Sequence, residues 1–241
     1  MSSTGLGARL YLLDIEGTVA PVSLVTEQLF PYARARFGTF LREHVDDAAV
    51  QADLALLVEE NRAESGHGAP RFSLSNDAVE PALAYLLWLM DRDRKSTALK
   101  SLQGKIWKAG FESGELKGTL FDDVPAALER WSKAGCVAIY SSGSVEAQRL
   151  LFRYSSFGDL TRLISGYFDT RVGAKRESAS YAAIASATGV APAGILFFSD
   201  VVAELDAARE AGCGTRLVVR PGNVPVDDAH GHVRIENFDL V

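Results

Sequence analysis

The chain is poor in cysteine. Cys136 and Cys213 are its whole complement in 241 residues, neither lies in a CxxC or metal-ligand spacing, and both stand where strands would begin. A disulfide-dense secreted scaffold is excluded, and a reducing cytoplasm fits. Long apolar runs are also missing. The longest, Ala82 to Met90, is about half of the ~18 residues a membrane span needs. The opening MSSTGLGARLYLLDIEG has no basic leader, and Asp14 interrupts its short apolar run, so the expectation is a soluble protein that is not exported. Positive charge is scarce: 25 Lys+Arg against 31 Asp+Glu give −6, with no basic block, which argues against nucleic acid as a partner. An acidic chain binds a small anion only through a local device such as one lysine, a helix N-terminus or a metal. Neither an internal repeat nor a low-complexity tract is present. What remains is ordinary globular composition, 47% hydrophobic and 23% charged. Folding at this length removes roughly 70–75% of the unfolded chain's surface, enough for one core plus a smaller lobe.

Leu10 to Leu13 are apolar throughout and end on Asp14, the pattern of a strand buried on both faces. The pattern recurs at Val137 to Tyr140 ending on Ser141, at Ile195 to Phe198 ending on Ser199-Asp200, and at Leu217 to Val219 ending on Arg220-Pro221-Gly222. Helical patterns alternate with them: Val124 to Lys133 behind Asp123 as N-cap with Pro125 in the first turn, Val145 to Tyr154 behind Ser144, Ser178 to Thr188, and Val201 to Ala211. Strand-helix alternation predicts an α/β doubly wound parallel sheet, whose ligands bind outside the carboxyl ends of the strands. Residues 19–119 break the alternation with four helical patterns, Val25 to Leu41, Asp46 to Asn61, Asn76 to Asp91 behind Ser75, and Thr97 to Ala109. That is too long for a loop. The expected organisation is a core of residues 1–18 and 120–241 with a helical cap of residues 19–119, and a loose tail before Ala8.

Asp14-Ile15-Glu16-Gly17-Thr18 places two carboxylates two residues apart after a buried strand. Alone, Asp14 reads equally well as a residue capping a turn. The chemical reading is a nucleophile that accepts a phosphoryl group, with Glu16 as acid toward the leaving oxygen and base toward water. Ser141-Ser142-Gly143-Ser144 follows the second strand and opens a helix, offering hydroxyls and N–H groups to an anion. Lys175, on a loop before the next helix, supplies the local positive charge. Asp200 closes the third strand with Glu204 one turn further on, and a carboxylate there can share a Mg²⁺ ion with Asp14.

In this order, the four motifs resemble the haloacid dehalogenase superfamily over nearly the whole chain, and the insert after Asp14 is similar to that superfamily's helical cap. Longer strings, LLDIEGTVAPVSLVTEQLFPYAR, LQGKIWKAGFESGELKG, IYSSGSVEAQRLLF, SGYFDTRVGAKRESASY and FFSDVVAELDAAREAG, resemble the enolase-phosphatases of methionine salvage. Glu16 belongs to that resemblance, since the wider superfamily usually carries Asp there. Val19 and Leu120-Phe121-Asp122-Asp123 depart from the subfamily without touching a motif residue.

The resemblance implies a bifunctional enzyme that enolises 2,3-diketo-5-methylthiopentyl-1-phosphate and then hydrolyses it to the acireductone 1,2-dihydroxy-3-keto-5-methylthiopentene. It implies Asp14, Glu16 and Lys175 as catalytic residues, and Ser141, Ser142 and Lys175 on the phosphate. Mg²⁺ would be held by Asp14, by Glu16 through its main-chain carbonyl, and by Asp200, in a cytoplasmic monomer. Two other functions use the same motifs in whole or part: a Mg²⁺-dependent phosphatase or phosphomutase for another ester, and a phosphoacceptor domain of the receiver type. The second lacks both a cap and an acid two residues after its aspartate. Trp88, Trp107, Phe111 and Tyr32 read as core aromatics rather than ligand contacts.

Overall fold

Apolar runs with no polar face need cover on both sides, and the chain provides it by winding helices around a sheet. The structure, a computed structural model, describes residues 10–64, 68–73, 78–227, 229–239 and 241. The tail expected before Ala8 and the helix start expected at Ser75 and Asn76 lie outside them. The strands are β1 (Leu10–Leu13), β2 (Cys136–Tyr140), β3 (Gly166–Phe168), β4 (Ile195–Ser199), β5 (Gly214–Val218) and β6 (Val233–Ile235). They form one six-stranded sheet of order β3-β2-β1-β4-β5-β6, parallel throughout. The helices are α1 (Phe30–His44), α2 (Ala48–Ala63), α3 (Val79–Asp91), α4 (Thr97–Glu112), α5 (Val124–Ala134), α6 (Val145–Arg153), α7 (Ser178–Thr188) and α8 (Val202–Glu210). Strand order reverses between β1 and β4, so the crevice typical of such sheets lies at the carboxyl ends of those two neighbours.

By contact density the chain divides into two compact units, Met1–Val25 with Lys117–Val241, and Thr26–Leu116. The first contains the sheet. Leu10, Leu12, Ala138, Tyr140, Ile195 and Phe197 are buried against Tyr181, Ile184 and Leu205 of α7 and α8. On the other side Trp131 of α5 lies 5.0 Å from Tyr11, 5.0 Å from Phe198 and 5.1 Å from Phe238, ring centre to ring centre. The second unit holds α1 to α4 around Phe37, Leu41, Leu54, Leu57, Tyr85 and Leu102, all fully buried. Its first helix follows a π-helical turn, Leu24–Leu29. Glu60 of α2 caps α4, accepting from the Thr97 N–H at 2.8 Å. Trp88 and Phe111 are buried, while Tyr32 and Trp107 are half-buried; the Trp107 indole donates to the Leu29 carbonyl at 2.8 Å. No described helix is long and apolar enough to cross a membrane.

Two assignments change. Asp123 stands at the N-cap position of α5, but its side chain makes no capping bond. Its Oδ2 instead accepts from Arg220 Nη2 at 2.8 Å and from the Phe238 N–H at 2.7 Å. A charge-assisted bond outcompetes a local cap. The strand expected at Leu217 to Val219 is β5 and begins at Gly214, before the apolar run, because Gly214 and Thr215 pair with Leu196 and Phe197 of β4.

Burial also makes a pH-sensitive corner beside β5. The His232 side chain is fully buried, with Nδ1 2.8 Å from Thr215 Oγ1 and Nε2 3.1 Å from Asp206 Oδ1. Burial lowers its pKa, aided by Arg209 and His230 and opposed by Asp206. The folded state therefore binds fewer protons than the unfolded chain just below neutrality, and stability falls as pH drops. Denaturant unfolding between about pH 7 and pH 5 is expected to show this loss in the wild type and a flatter profile in His232→Asn.

Candidate active site

Asp14 stays in sheet register, its N–H donating to the Phe198 carbonyl at 3.0 Å. Its carboxylate then turns back on the chain. Oδ1 accepts from the Ile15 N–H at 2.7 Å and from Lys175 Nζ at 2.6 Å. These two donors fix the carboxylate through Oδ1. The next residues form a tight turn in which the Ile15 carbonyl accepts from the N–H groups of Thr18, Val19 and Ala20 at 3.2, 2.9 and 2.9 Å. Glu16 lies half-buried in that turn.

Lys175 comes from a loop that three hydroxyls pin in place. Tyr140 donates to the Gly173 carbonyl at 2.9 Å, Ser180 to Ala174 at 2.7 Å, and Tyr181 to Lys175 itself at 2.7 Å. The ammonium so delivered lies between two acids, 2.6 Å from Asp14 Oδ1 and 2.7 Å from Glu204 Oε2. Burial alone would lower its pKa, but Asp14 and Glu204 outweigh it and raise it. Glu204 also accepts from Ser199 Oγ at 2.9 Å. Burial and then the Asp14 charge push its pKa up, with Lys175 opposing. Glu204, read from sequence as an acid near a metal, thus serves here as the second partner of Lys175.

Asp200 is pushed up to about 7, first by burial and then by the Asp14 charge. Negative potential at this point exceeds what Lys175 neutralises, the condition a cation relieves. Among the described residues no three His, Cys, Asp or Glu side chains form a ready metal cage. A magnesium ion does not need one, because it is usually bound by one or two carboxylates together with substrate phosphate and water. Asp14 and Asp200, on adjacent strand ends, could serve as such a pair.

Gly17 brings Asp200 to the turn. Its φ of +71° is unfavourable for an L side chain, and a Cβ there would lie 2.3 Å from Asp200 Oδ2 and 2.9 Å from Asn223 Oδ1. Gly17→Ala is expected to cost roughly 1–2 kcal/mol in backbone conformation alone and to displace the Asp200 carboxylate. Thermal unfolding together with the metal dependence of phosphate release checks this. An unchanged metal requirement would show that Asp200 does not depend on the glycine.

Ser141 and Ser142 stand at the end of β2, beside β1 in the sheet. The buried Ser141 hydroxyl accepts from the Gly143 N–H at 3.2 Å, and Ser142 is exposed. Ser144 caps α6, accepting from the Ala147 N–H at 3.2 Å. Gln148 braces this turn from inside, donating to the carbonyls of Gly143 and Phe168 at 2.8 and 2.9 Å. Sequence gave no warning of Gln148, nor of Arg220, which is buried and donates to the Thr18 carbonyl at 3.2 Å between the rings of Phe121 and Phe238.

Residues 8–212 match the family described as haloacid dehalogenase-like hydrolase. An enolase-phosphatase E1 of Synechococcus elongatus is 57% identical over 90% of both chains. One of Leptospira borgpetersenii is 47% identical over 95% of this chain and 96% of its own. The crystal structure of the UTR4 protein of Saccharomyces cerevisiae superposes with a TM-score of 0.81 at 37% identity, covering 98% of this chain and all of that one. With a doubly wound sheet, an aspartate on its first strand and this identity over nearly its whole length, the chain belongs to the enolase-phosphatase E1 family of the haloacid dehalogenase-like hydrolases.

Proposed function

We propose that the protein carries out the enolase-phosphatase step of methionine salvage, converting 2,3-diketo-5-methylthiopentyl-1-phosphate to 1,2-dihydroxy-3-keto-5-methylthiopentene and phosphate. The observation that carries the assignment of residues is the Asp14 carboxylate fixed at the switch point by Lys175, with Asp200 on the neighbouring strand end. In the hydrolytic step Asp14 attacks phosphorus, the enediol oxygen leaves with a proton from Glu16, and an aspartyl phosphate forms. Glu16, now ionised, takes a proton from water as that water cleaves the acyl phosphate and regenerates Asp14. Lys175 neutralises phosphate charge, and the Ser141 hydroxyl with the hydroxyl and N–H of Ser142 hold the phosphate oxygens, the Ser141 N–H being donated to the Phe168 carbonyl at 3.2 Å. A divalent cation, magnesium in this reading, held by Asp14, Asp200 and the Glu16 main-chain carbonyl, supplies positive charge to the phosphate and to the enolate oxygen of the first step. The chain acts as a cytoplasmic monomer on a small phosphorylated substrate.

Acid quenching during turnover, followed by peptide mass spectrometry, tests the residue assignment. A base-labile phosphoryl group on the peptide carrying Asp14 is expected. Turnover with the label on another residue would reassign the nucleophile.

A further inference from the structure

Asn223 closes the turn Arg220-Pro221-Gly222-Asn223 after β5. Its N–H donates to the Arg220 carbonyl at 3.1 Å, and Gly222 has φ +90°, with proline second and glycine third as a type II turn favours. The turn aims the Asn223 side chain back across the sheet. Nδ2 donates to the Gly17 carbonyl at 2.9 Å and to the Val218 carbonyl at 3.3 Å. Both neighbours are acceptors, so the amide nitrogen must face them and the orientation of the group is fixed. The oxygen consequently points the other way, toward the face of Gly17 that Asp200 also occupies: a Cβ on Gly17 would lie 2.9 Å from Asn223 Oδ1 and 2.3 Å from Asp200 Oδ2. There Oδ1 is buried with no hydrogen-bond partner among the described residues.

A buried carbonyl oxygen without a donor is costly, and the usual reason for keeping one is a ligand or water that completes it. The groups around it narrow the choice. Asp200, the acid beside it, is an acceptor when ionised, and the Gly17 backbone offers no N–H, since that group donates to the Ala20 carbonyl at 2.8 Å. A ligand bound at ionised Asp200 is placed to bring the missing donor. Water in the shell of a divalent cation is a strong donor, and magnesium keeps several waters when bound.

We infer that Asn223 is a positioning residue of the metal site: Nδ2 holds the Gly17 carbonyl, and so the turn that carries Glu16, while Oδ1 accepts a hydrogen bond from water of the cation bound at Asp14 and Asp200. This rests on the metal assignment made above. Asn223 touches no reacting atom and works through the turn and the cation's water, as partners around metal ligands commonly do.

Calorimetric titration of the metal-free chain with MgCl₂, without substrate, tests it on wild type, Asn223→Ala and Asp200→Asn, with the thermal midpoint of each metal-free protein measured alongside. Asn223→Ala is expected to weaken magnesium binding by about 10–100-fold, and Asp200→Asn to abolish it. If Asn223→Ala melts lower but binds magnesium as the wild type does, the residue is only a structural tether and the proposal fails. If Asp200→Asn binds magnesium like wild type, the metal assignment itself has failed and takes the proposal with it. A variant that does not fold leaves the wild type to decide. Its Asn223 side-chain amide resonances are expected to shift during the titration with the calorimetric midpoint, and resonances that stay in place overturn the proposal.

Discussion

Asp14→Asn is expected to release phosphate at a rate lower by on the order of 10⁴-fold or more, with its thermal midpoint within about 3 °C of wild type. The amide keeps the shape of the carboxylate and an oxygen that can accept from the Ile15 N–H and Lys175, which now hold Oδ1 at 2.7 and 2.6 Å. It cannot act as a nucleophile toward phosphorus. Stability survives for an electrostatic reason. The Asp14 charge is among the causes that raise both Asp200 and Glu204, so removing it relieves a repulsion while Lys175 keeps Glu204 as a partner. Steady-state phosphate release and differential scanning calorimetry check the two halves separately. Activity within tenfold of wild type would remove Asp14 from the chemistry, whereas a large fall in the midpoint would make it a structural residue.

Lys175→Met is expected to lose on both counts. Its side chain is 10% exposed and lies between two acids whose side chains are 7% and 11% exposed. Removing the cation leaves those carboxylates buried and unpaired, at a cost of roughly 3–5 kcal/mol. The sign with pH follows from the raised lysine pKa. The contribution is complete below the lysine's ordinary value and is lost only as pH climbs through the folded one, so it does not vary across the neutral range. Activity is expected to fall by about 10²–10³-fold, the scale for removing one preorganised donor from developing charge. Lys175→Arg separates the two effects. A guanidinium restores charge but not the compact fit between Asp14 and Glu204, so stability should recover further than turnover. Denaturant unfolding and kcat/KM measured on both variants decide. Wild-type values for Lys175→Met would make this an ordinary lysine.

The centre of the sheet was legible because β1, β2 and β4 are buried on both faces and read as unbroken apolar runs. At the margins that signal fails. Gly166–Phe168 and Val233–Ile235 are three residues each, too short to show a period, and their pairing is dictated by neighbours. The site divides in the same way. Asp14, Lys175 and Asp200 were found from motif order, since each follows a strand or precedes a helix. What Lys175 touches was not, because Glu204 comes from α8 and the Lys175 loop is set by the hydroxyls of Tyr140, Ser180 and Tyr181. Asp123 shows how a local rule misleads. It has the sequence of an N-cap, yet a buried arginine distant in sequence takes its carboxylate. Arg220-Pro221-Gly222-Asn223 carries a turn signature and nothing more, although the fold returns Arg220 and Asn223 to the carbonyls of Thr18 and Gly17.

The most direct test supplies the diketo-methylthiopentyl phosphate anaerobically with Mg²⁺ and follows inorganic phosphate and the ultraviolet absorbance of the enediol in one cuvette. Both signals are expected to rise together in equal amounts and to stop on addition of EDTA. Phosphate release with no enediol signal, or neither signal from folded, magnesium-loaded protein, would contradict the assignment of an enolase-phosphatase to this site.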